Sequence, residues 1–85
     1  MCAYKPPPKL LPGFPEAVPI KPKTPFGKDG RKLRKRWKDS DGTIYEWDYQ
    51  HGTVERYNSN GDHQGEFRPD DGTKIGPAKP RNVEP

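Results

Sequence analysis

Four turn dipeptides recur about every ten residues in the second half of the chain: Asp41-Gly42, His51-Gly52, Asn60-Gly61 and Asp71-Gly72. The runs between them favour β structure, and Asx-Gly turns of this kind join neighbouring antiparallel strands. The pattern predicts strands near 32–38, 43–49, 53–58, 63–68 and 73–76, and no helix of useful length. The expected fold class is all-β, a small, highly twisted antiparallel sheet of about five to six strands.

The N-terminal third has a different composition, since eight of the twelve prolines lie between Pro6 and Pro25. Each proline fixes its own φ and removes a backbone donor, which excludes a regular helix or a central strand. We therefore expect an irregular Pro-rich extension over residues 1–30 and a β domain over 31–85. The favoured interpretation of the extension is a polyproline-like spacer. The alternatives are a segment that packs on the domain through Leu10, Leu11, Phe14 and Ile20, and a proline-motif ligand for an adaptor domain.

Size and cysteine content limit how the chain can be stabilised. With 85 residues, of which 27% are hydrophobic, it can build one small domain with a small core. Cys2 is the only cysteine, so no internal disulfide can form, which suits a reducing cytoplasm. No apolar run approaches the roughly 18 residues of a membrane-spanning segment, and the N-terminus lacks a signal-peptide pattern. The sequence predicts a soluble piece of a larger protein.

Positive charge is concentrated in one stretch, residues 31–38, which carries six basic residues and no acid. Residues 39–85 carry ten acidic and five basic residues, so the formal net charge of +4 hides a strong asymmetry. Such a block, which also contains Trp37, favours nucleic acid as a partner, and the alternative is a charged edge strand that resists aggregation. Trp37 and Trp47 are themselves expected in the core. The predicted RNA-binding residues are Arg31, Lys32, Arg34, Lys35, Arg36 and Lys38.

The register of the central hairpin follows from the length of its loop. If residues 49–52 form a four-residue loop, position 48 lies opposite 53, 46 opposite 55 and 44 opposite 57. One face then carries Ile44, Glu46, Asp48, Thr53, Glu55 and Tyr57, and the other carries Tyr45, Trp47, Val54 and Arg56. The first face is predicted to be a site and the second a core, whereas a three-residue loop would separate Asp48 from Glu55.

Residues suited to RNA cleavage cluster on the first face. Cleavage needs a base for the ribose 2′-OH, an acid for the leaving 5′-oxygen and positive charge on the phosphorane. Glu55 is a candidate base and His51 a candidate acid, and an arginine is required. Taken singly, His51 is an ordinary turn residue and Glu55 an ordinary strand residue, so the cluster alone leaves catalysis open. Cys2, His51 and His63 lack zinc-ligand spacing, so no metal and no cofactor are expected.

Several motifs together resemble a known family. They are RKRW, a DG turn, IYEWD-x-QHG-x-x-E-x-Y from Ile44 to Tyr57, and the closing GP-x-x-x-RN. They resemble the cytotoxic ribonuclease domain of the ribosome-inactivating E-type colicins and cloacin, from about Lys32 to Asn82. The resemblance implies a toxin that cuts 16S ribosomal RNA once at the decoding A site, in the 30S subunit or 70S ribosome, and so stops translation.

The same resemblance implies roles for five residues. Glu55 would be the general base and His51 the acid, oriented by Asp48. Arg81 would stabilise the transition state and Tyr57 would shape the site. The product would be a 2′,3′-cyclic phosphate, formed without metal.

Two departures from the family pattern bear on ribosome affinity. Thr53 replaces an acidic residue that the family has between its histidine and catalytic glutamate, and Val83-Glu84-Pro85 replaces a basic tail. The Pro-rich N-terminal segment also differs from a colicin's. It resembles the junction of a modular bacterial competition toxin, such as a contact-dependent or type VI effector. Such a toxin is delivered by its producer and acts in the cytoplasm of the target bacterium.

A partner and two rival functions complete the expectations. The resemblance implies a small acidic cognate immunity protein, predicted to contact residues 31–38 and to exclude the ribosome; apart from that complex we expect a monomer. The main alternative is a non-catalytic basic RNA-binding β-module. A Pro-rich adaptor, with its function in residues 6–25, is a third interpretation.

Overall fold

The computed structural model describes residues 5–26, 30 and 32–85. Within these ranges the chain forms short strands and no helix, which confirms the all-β class. Nothing in the described part is a helix long and apolar enough to cross a membrane. The strands are β1 Val18–Ile20, β2 Pro25–Phe26, β3 Lys32–Leu33, β4 Arg36–Lys38, β5 Ile44–Asp48, β6 Thr53–Tyr57, β7 His63–Phe67 and β8 Lys74–Gly76.

Six of the strands form one antiparallel sheet in the order β1-β4-β5-β6-β7-β8, and β2 and β3 form a separate two-stranded sheet. From β4 to β8 the chain is a meander that turns back at each of the four predicted dipeptides. The single strand predicted over 32–38 is wrong, because Arg34 and Lys35 interrupt it. The Arg34 N–H donates to the Thr24 carbonyl at 2.8 Å, and the Lys35 carbonyl accepts from the Trp47 N–H at 3.0 Å.

The central hairpin has the predicted register. Asp48 pairs with Thr53, Glu46 with Glu55 and Ile44 with Tyr57 across β5 and β6. The intervening loop has four residues, and it closes with a bond of 2.8 Å from the Gly52 N–H to the Asp48 carbonyl. Gly52 has a φ of 71°, a backbone conformation that favours glycine. Asp48 and Glu55 therefore share one face of the sheet.

The opposite face builds the hydrophobic core. Trp47 and Val54 from the hairpin pack with Trp37 from β4 and Phe67 from β7, and all four are almost fully buried. The rings of Trp37 and Trp47 meet edge to face with centroids 6.4 Å apart. Both tryptophans are core residues, as the sequence predicted.

The N-terminal segment completes this core, so the spacer interpretation is wrong. Leu11 is 1% exposed and Ala17 is 2% exposed, and the Phe14 ring lies 4.7 Å from the ring of Tyr45. The Trp37 and Trp47 indole N–H groups donate to the carbonyls of Lys9 and Lys5, at 3.1 and 2.7 Å. The packing alternative is correct for Leu11 and Phe14, whereas Leu10 is 58% exposed. The division of the chain at residue 30 stays a prediction.

Strand β1 shows how a proline-rich segment can join a sheet. It occupies an edge and pairs only with β4, with Pro19 opposite Trp37. An edge strand tolerates proline because one side of it needs no ladder donors. The expectation that these residues could not form a central strand therefore agrees with the structure.

Arg36 is a core residue, which corrects its assignment to RNA binding. The whole residue is 0% exposed, and its guanidinium donates to the Glu46 carboxylate at 2.7 and 3.0 Å. Further bonds run to the Thr24 hydroxyl at 3.3 Å and to the Glu84 carbonyl at 2.6 Å. A buried charge is tolerated only when it is paired and hydrogen-bonded in this way. The pair ties β4 and β5 to the C-terminal residues.

Candidate active site

A cavity of about 420 Å³ opens on the sheet face opposite the core. It brings together four of the five predicted catalytic residues, Asp48, His51, Glu55 and Arg81. His63 and Glu66, which the sequence did not single out, line the same cavity. A hairpin, a neighbouring strand and the C-terminal segment all contribute, so the site forms only when the meander is complete.

Asp48 orients His51 through the geometry of the hairpin loop. One carboxylate oxygen, Oδ1, accepts the backbone N–H groups of Gln50 and His51 at 2.9 and 3.0 Å. The other, Oδ2, lies 2.9 Å from His51 Nδ1. Because a carboxylate can only accept, this contact places the ring proton on Nδ1 and makes Nε2 the nitrogen for proton exchange with a substrate. The His51 side chain is 59% exposed and open to that substrate.

The same contacts set the charge of Asp48. Burial alone would raise the pKa of this carboxyl, but the backbone donors of His51 and Gln50, together with the His51 ring, lower it below its ordinary value. Asp48 therefore remains an anion at neutral pH and can stabilise a protonated imidazole.

Glu55 sits deeper, near the middle of β6, and is held by two neighbours. Its Oε1 accepts from Arg81 Nη2 at 2.7 Å and lies 2.7 Å from His63 Nε2. The Arg81 side chain is 50% exposed, whereas that of Glu55 is 9% exposed. Arg81 thus reaches from the cavity mouth to the buried carboxylate. Its own backbone is fixed, because its carbonyl accepts from the His63 N–H at 3.0 Å.

His63 is the main functional candidate that the sequence did not reveal. The Lys79 backbone N–H donates to His63 Nδ1 at 2.9 Å, so that nitrogen is an acceptor and the ring proton lies on Nε2. His63 therefore donates to Glu55 from a side chain that is 1% exposed. Cross-strand pairing with Tyr57 brings the ring to the site, and a bulge in the β6–β7 register obscured that pairing in the sequence.

Tyr57 lies beside the cavity and contacts its inner wall. The residue is 4% exposed, and its ring meets the His63 ring edge to face with centroids 5.2 Å apart. Burial raises the pKa of the Tyr57 hydroxyl, which keeps it neutral. The structure does not place Tyr57 among the residues that line the cavity of His51, and its contacts support a role in fixing His63.

Glu66 supplies a further carboxylate close to His51. Its Oε2 accepts from the Thr53 hydroxyl at 2.5 Å and lies 3.6 Å from His51 Nδ1. Thr53 occupies the position at which the family pattern has an acid, so a carboxylate reaches this part of the site from β7 instead of β6. The signal in the sequence was the alternation of β7, which puts Glu66 opposite Glu55.

Three of these groups form a donor set that could hold a metal ion. One ligand atom from each of Asp48, His51 and Glu66 lies within 4.8 Å of the others. Zinc accepts imidazole and carboxylate ligands, so the chemistry of the set fits such an ion. The set consists of residues that already serve the proton-transfer groups of the cavity, and the expectation of a metal-free site stays a prediction.

The remaining basic residues are distributed around the site rather than along one strand. Arg34 lines the catalytic cavity, and its guanidinium donates to the Trp47 carbonyl at 2.9 Å. The Lys35 ammonium lies 5.8 Å from the centre of the Trp37 ring, and Lys38 is half-buried at the end of β4. Lys32 is exposed in β3, and Arg31 lies outside the described residues. RNA binding by these residues stays a prediction, except for the buried Arg36.

A twisted antiparallel sheet with this carboxylate, histidine and arginine set defines the class of protein. The chain belongs to the Cytotoxic family, whose model matches residues 5–84. Among individual proteins it is similar to colicin E3 of Escherichia coli, with 45% identity over 85 residues. Colicin-E6 and cloacin, also of Escherichia coli, are each 42% identical to it over 84 residues.

The extent of these matches is asymmetric. Each covers 94% of this chain but 15% of the relative, so the chain spans about one seventh of the length of the curated relatives it matches. The resemblance to the cytotoxic domain of E-type colicins and cloacin is confirmed, and it includes the N-terminal segment from residue 5.

Proposed function

We propose that this chain is a toxin endoribonuclease that cleaves 16S ribosomal RNA at the decoding A site and so halts translation. The observation that carries the proposal is the fixed position of Glu55, held by Arg81 and His63 in the cavity that also contains the Asp48–His51 pair. Membership of the Cytotoxic family supports the same assignment.

The geometry provides a base for the first half of the reaction. Arg81 and His63 both bond to Oε1 of Glu55, so Oε2 is the oxygen that removes the proton of a ribose 2′-OH. The 2′-oxygen then forms a bond to phosphorus. Arg81, at the cavity mouth beside Glu55, places its positive charge where the phosphorane becomes more negative.

His51 completes the reaction as the acid. Its protonated Nε2 gives a proton to the 5′-oxygen as the bond from phosphorus to that oxygen breaks. Asp48 holds the ring through Nδ1 and stabilises its cationic form. The products are a 2′,3′-cyclic phosphate and a 5′-hydroxyl, and the four side chains supply both proton transfers and the positive charge without metal.

The proposed partners follow from the family and from the exposed charge. The target is 16S rRNA in the 30S subunit or 70S ribosome, inside the cytoplasm of a bacterium that receives the chain as part of a larger toxin. A small acidic immunity protein protects the producer by covering the exposed basic residues Lys32, Arg34, Lys35 and Lys38 and excluding the ribosome. A structure of the complex that leaves all four uncovered would contradict this part.

Cleavage of intact ribosomes tests the proposal. The chain is incubated with bacterial ribosomes in EDTA, and the ends of 16S rRNA are mapped by primer extension, beside Glu55→Ala and a Glu16→Gln control at an exposed site remote from the cavity. We expect a single new end near the decoding site with the wild type and the control, and none with Glu55→Ala. Intact rRNA together with retained ribosome binding would instead favour a non-catalytic RNA-binding module.

A further inference from the structure

A pair of stacked aromatic rings borders the catalytic cavity. The rings of Phe26 and Tyr49 are nearly parallel, with centroids 4.4 Å apart and planes 11° from one another. Both rings line the catalytic cavity, and both also line a neighbouring groove of about 520 Å³. The two depressions are thus continuous across this ring pair.

Local structure places the rings beside the reacting groups. Tyr49 follows Asp48 directly and lies two residues before His51, and its carbonyl accepts from the Lys5 N–H at 2.8 Å. Phe26 ends β2, where it pairs with Lys32 of β3. Tyr49 packs against the hydrophobic core, whereas Phe26 is absent from the described core cluster. An aromatic side chain placed outside the core of so small a domain is available for a ligand.

Charge next to the rings completes a surface suited to RNA. The Arg34 guanidinium carbon lies 5.8 Å from the centre of the Phe26 ring, and Lys32 lines the groove. The other walls are apolar, formed by Pro6, Pro7 and the 43% exposed Leu33. Planar apolar walls flanked by cations match a nucleobase with its phosphates, since bases stack on aromatic rings while basic groups follow the backbone.

We propose that the Phe26–Tyr49 pair is a subsite for an unstacked nucleobase of the substrate RNA, next to the cleaved phosphodiester. This inference rests on the proposed ribonuclease function and adds a substrate contact to it. The base enters the groove and extends the stack of rings, while Arg34 and Lys32 contact the adjoining phosphates. The subsite takes over the stacking surface that the buried Trp37 does not offer.

Binding of an RNA that cannot be cleaved tests the subsite directly. The probe is a fluorescent single-stranded 2′-O-methyl oligonucleotide with the decoding-site sequence, and matched probes lack one base at each position in turn. Phe26→Leu and Tyr49→Leu keep apolar bulk but lose the planar ring. Ile75→Ala, at an exposed apolar residue of the far edge strand β8, is the control.

We expect each leucine variant to raise the Kd for the complete probe about 5- to 100-fold, as loss of one base stack predicts. With one of the abasic probes, wild type and variants should bind equally, because the lost partner is the same contact. In ribosome cleavage the variants should raise KM and retain kcat. Equal losses on every abasic probe, or unchanged Kd for both leucine variants, would overturn the subsite.

Failure of the subsite and failure of the nuclease assignment give different results. If the wild type cleaves ribosomes and the leucine variants bind and cleave like it, the subsite alone is wrong. If the wild type binds no RNA and cuts no ribosome, both proposals fall. A thermal melt of each variant checks that altered binding is not caused by unfolding.

Discussion

The two histidines of the chain line one cavity but occupy opposite environments. His51 stands in the hairpin loop with its side chain 59% exposed, next to the carboxylates of Asp48 and Glu66. His63 lies in β7 with its side chain 1% exposed, between Glu55 and the Lys79 backbone. The same imidazole group is therefore open to solvent at one end of the cavity and enclosed at the other.

This difference assigns different tasks to the two rings. A group that exchanges protons with a substrate must be reachable, and only one nitrogen of His51 is occupied by Asp48. Both nitrogens of His63 are engaged, one by a backbone donor and one by Glu55. His63 is thus a positioning residue that fixes the base, and His51 is the acid. Four experiments can break or sharpen this contrast.

The largest expected effect belongs to Glu55, the residue on which the buried end of the site converges. Glu55→Gln keeps the shape but removes the base, and we expect the single-turnover rate of 16S rRNA cleavage to fall by about 10³- to 10⁴-fold. Ribosome binding should change little. Glu16→Gln is the matched control, and a Glu55→Gln rate within tenfold of the wild type would remove Glu55 from the mechanism.

His51 should come next, with an effect on rate and none on stability. His51→Ala removes the acid, and we expect cleavage to slow by about 10²- to 10³-fold. Because the ring is exposed, the free energy of unfolding should stay within about 0.5 kcal/mol of the wild type in a denaturant titration. A variant that is strongly destabilised would show that the loop depends on this ring for its structure.

The local pattern of the sequence predicted the hairpin and half of the site. Turn dipeptides and strand alternation were enough to place Asp48 and Glu55 on one face and Trp47 and Val54 on the other, because register in a short hairpin is set by loop length. Arg81 came only from the family motif, since no local rule relates the C-terminal segment to β6.

Contacts between distant segments were beyond this pattern. Arg36 looked like one cation among six, and its burial depends on Glu46 and on the Glu84 carbonyl 48 residues away. His63 and Glu66 reach the cavity only through the β6–β7 pairing, which carries a bulge. Leu11 enters the core because the proline-rich segment folds back, a tertiary event that composition does not encode.

His63 should reverse the behaviour of His51 and provide the sharpest test of the contrast. His63→Ala leaves Glu55 Oε1 and the Lys79 N–H without this partner, and an unsatisfied buried group costs about 1–3 kcal/mol. We expect a loss of stability of that size, measured by denaturant titration, and a fall in cleavage rate of only about tenfold.

A second measurement distinguishes positioning by His63 from a purely structural role. If His63 only supports the fold, stabilising solutes that restore folding of His63→Ala should also restore its full rate. If it positions Glu55, the folded variant should stay slow with kcat reduced and KM unchanged. A rate loss equal to that of His51→Ala would contradict the division of tasks.

The smallest expected effect is the acid dependence of stability at the exposed end. The pKa of Asp48 is lower in the folded chain than its ordinary value of 3.8, because backbone N–H groups and His51 outweigh the opposing effect of burial. The carboxylate therefore stabilises the fold above its unfolded pKa, and this contribution disappears as the pH falls through the folded pKa. Asp48→Asn should be less stable than the wild type at about pH 6, and the difference should shrink towards about pH 3. Thermal melts at both pH values measure it, with the exposed Asp70→Asn as control. A difference that grows in acid would show that Asp48 is held in its neutral form, which is incompatible with its role beside His51.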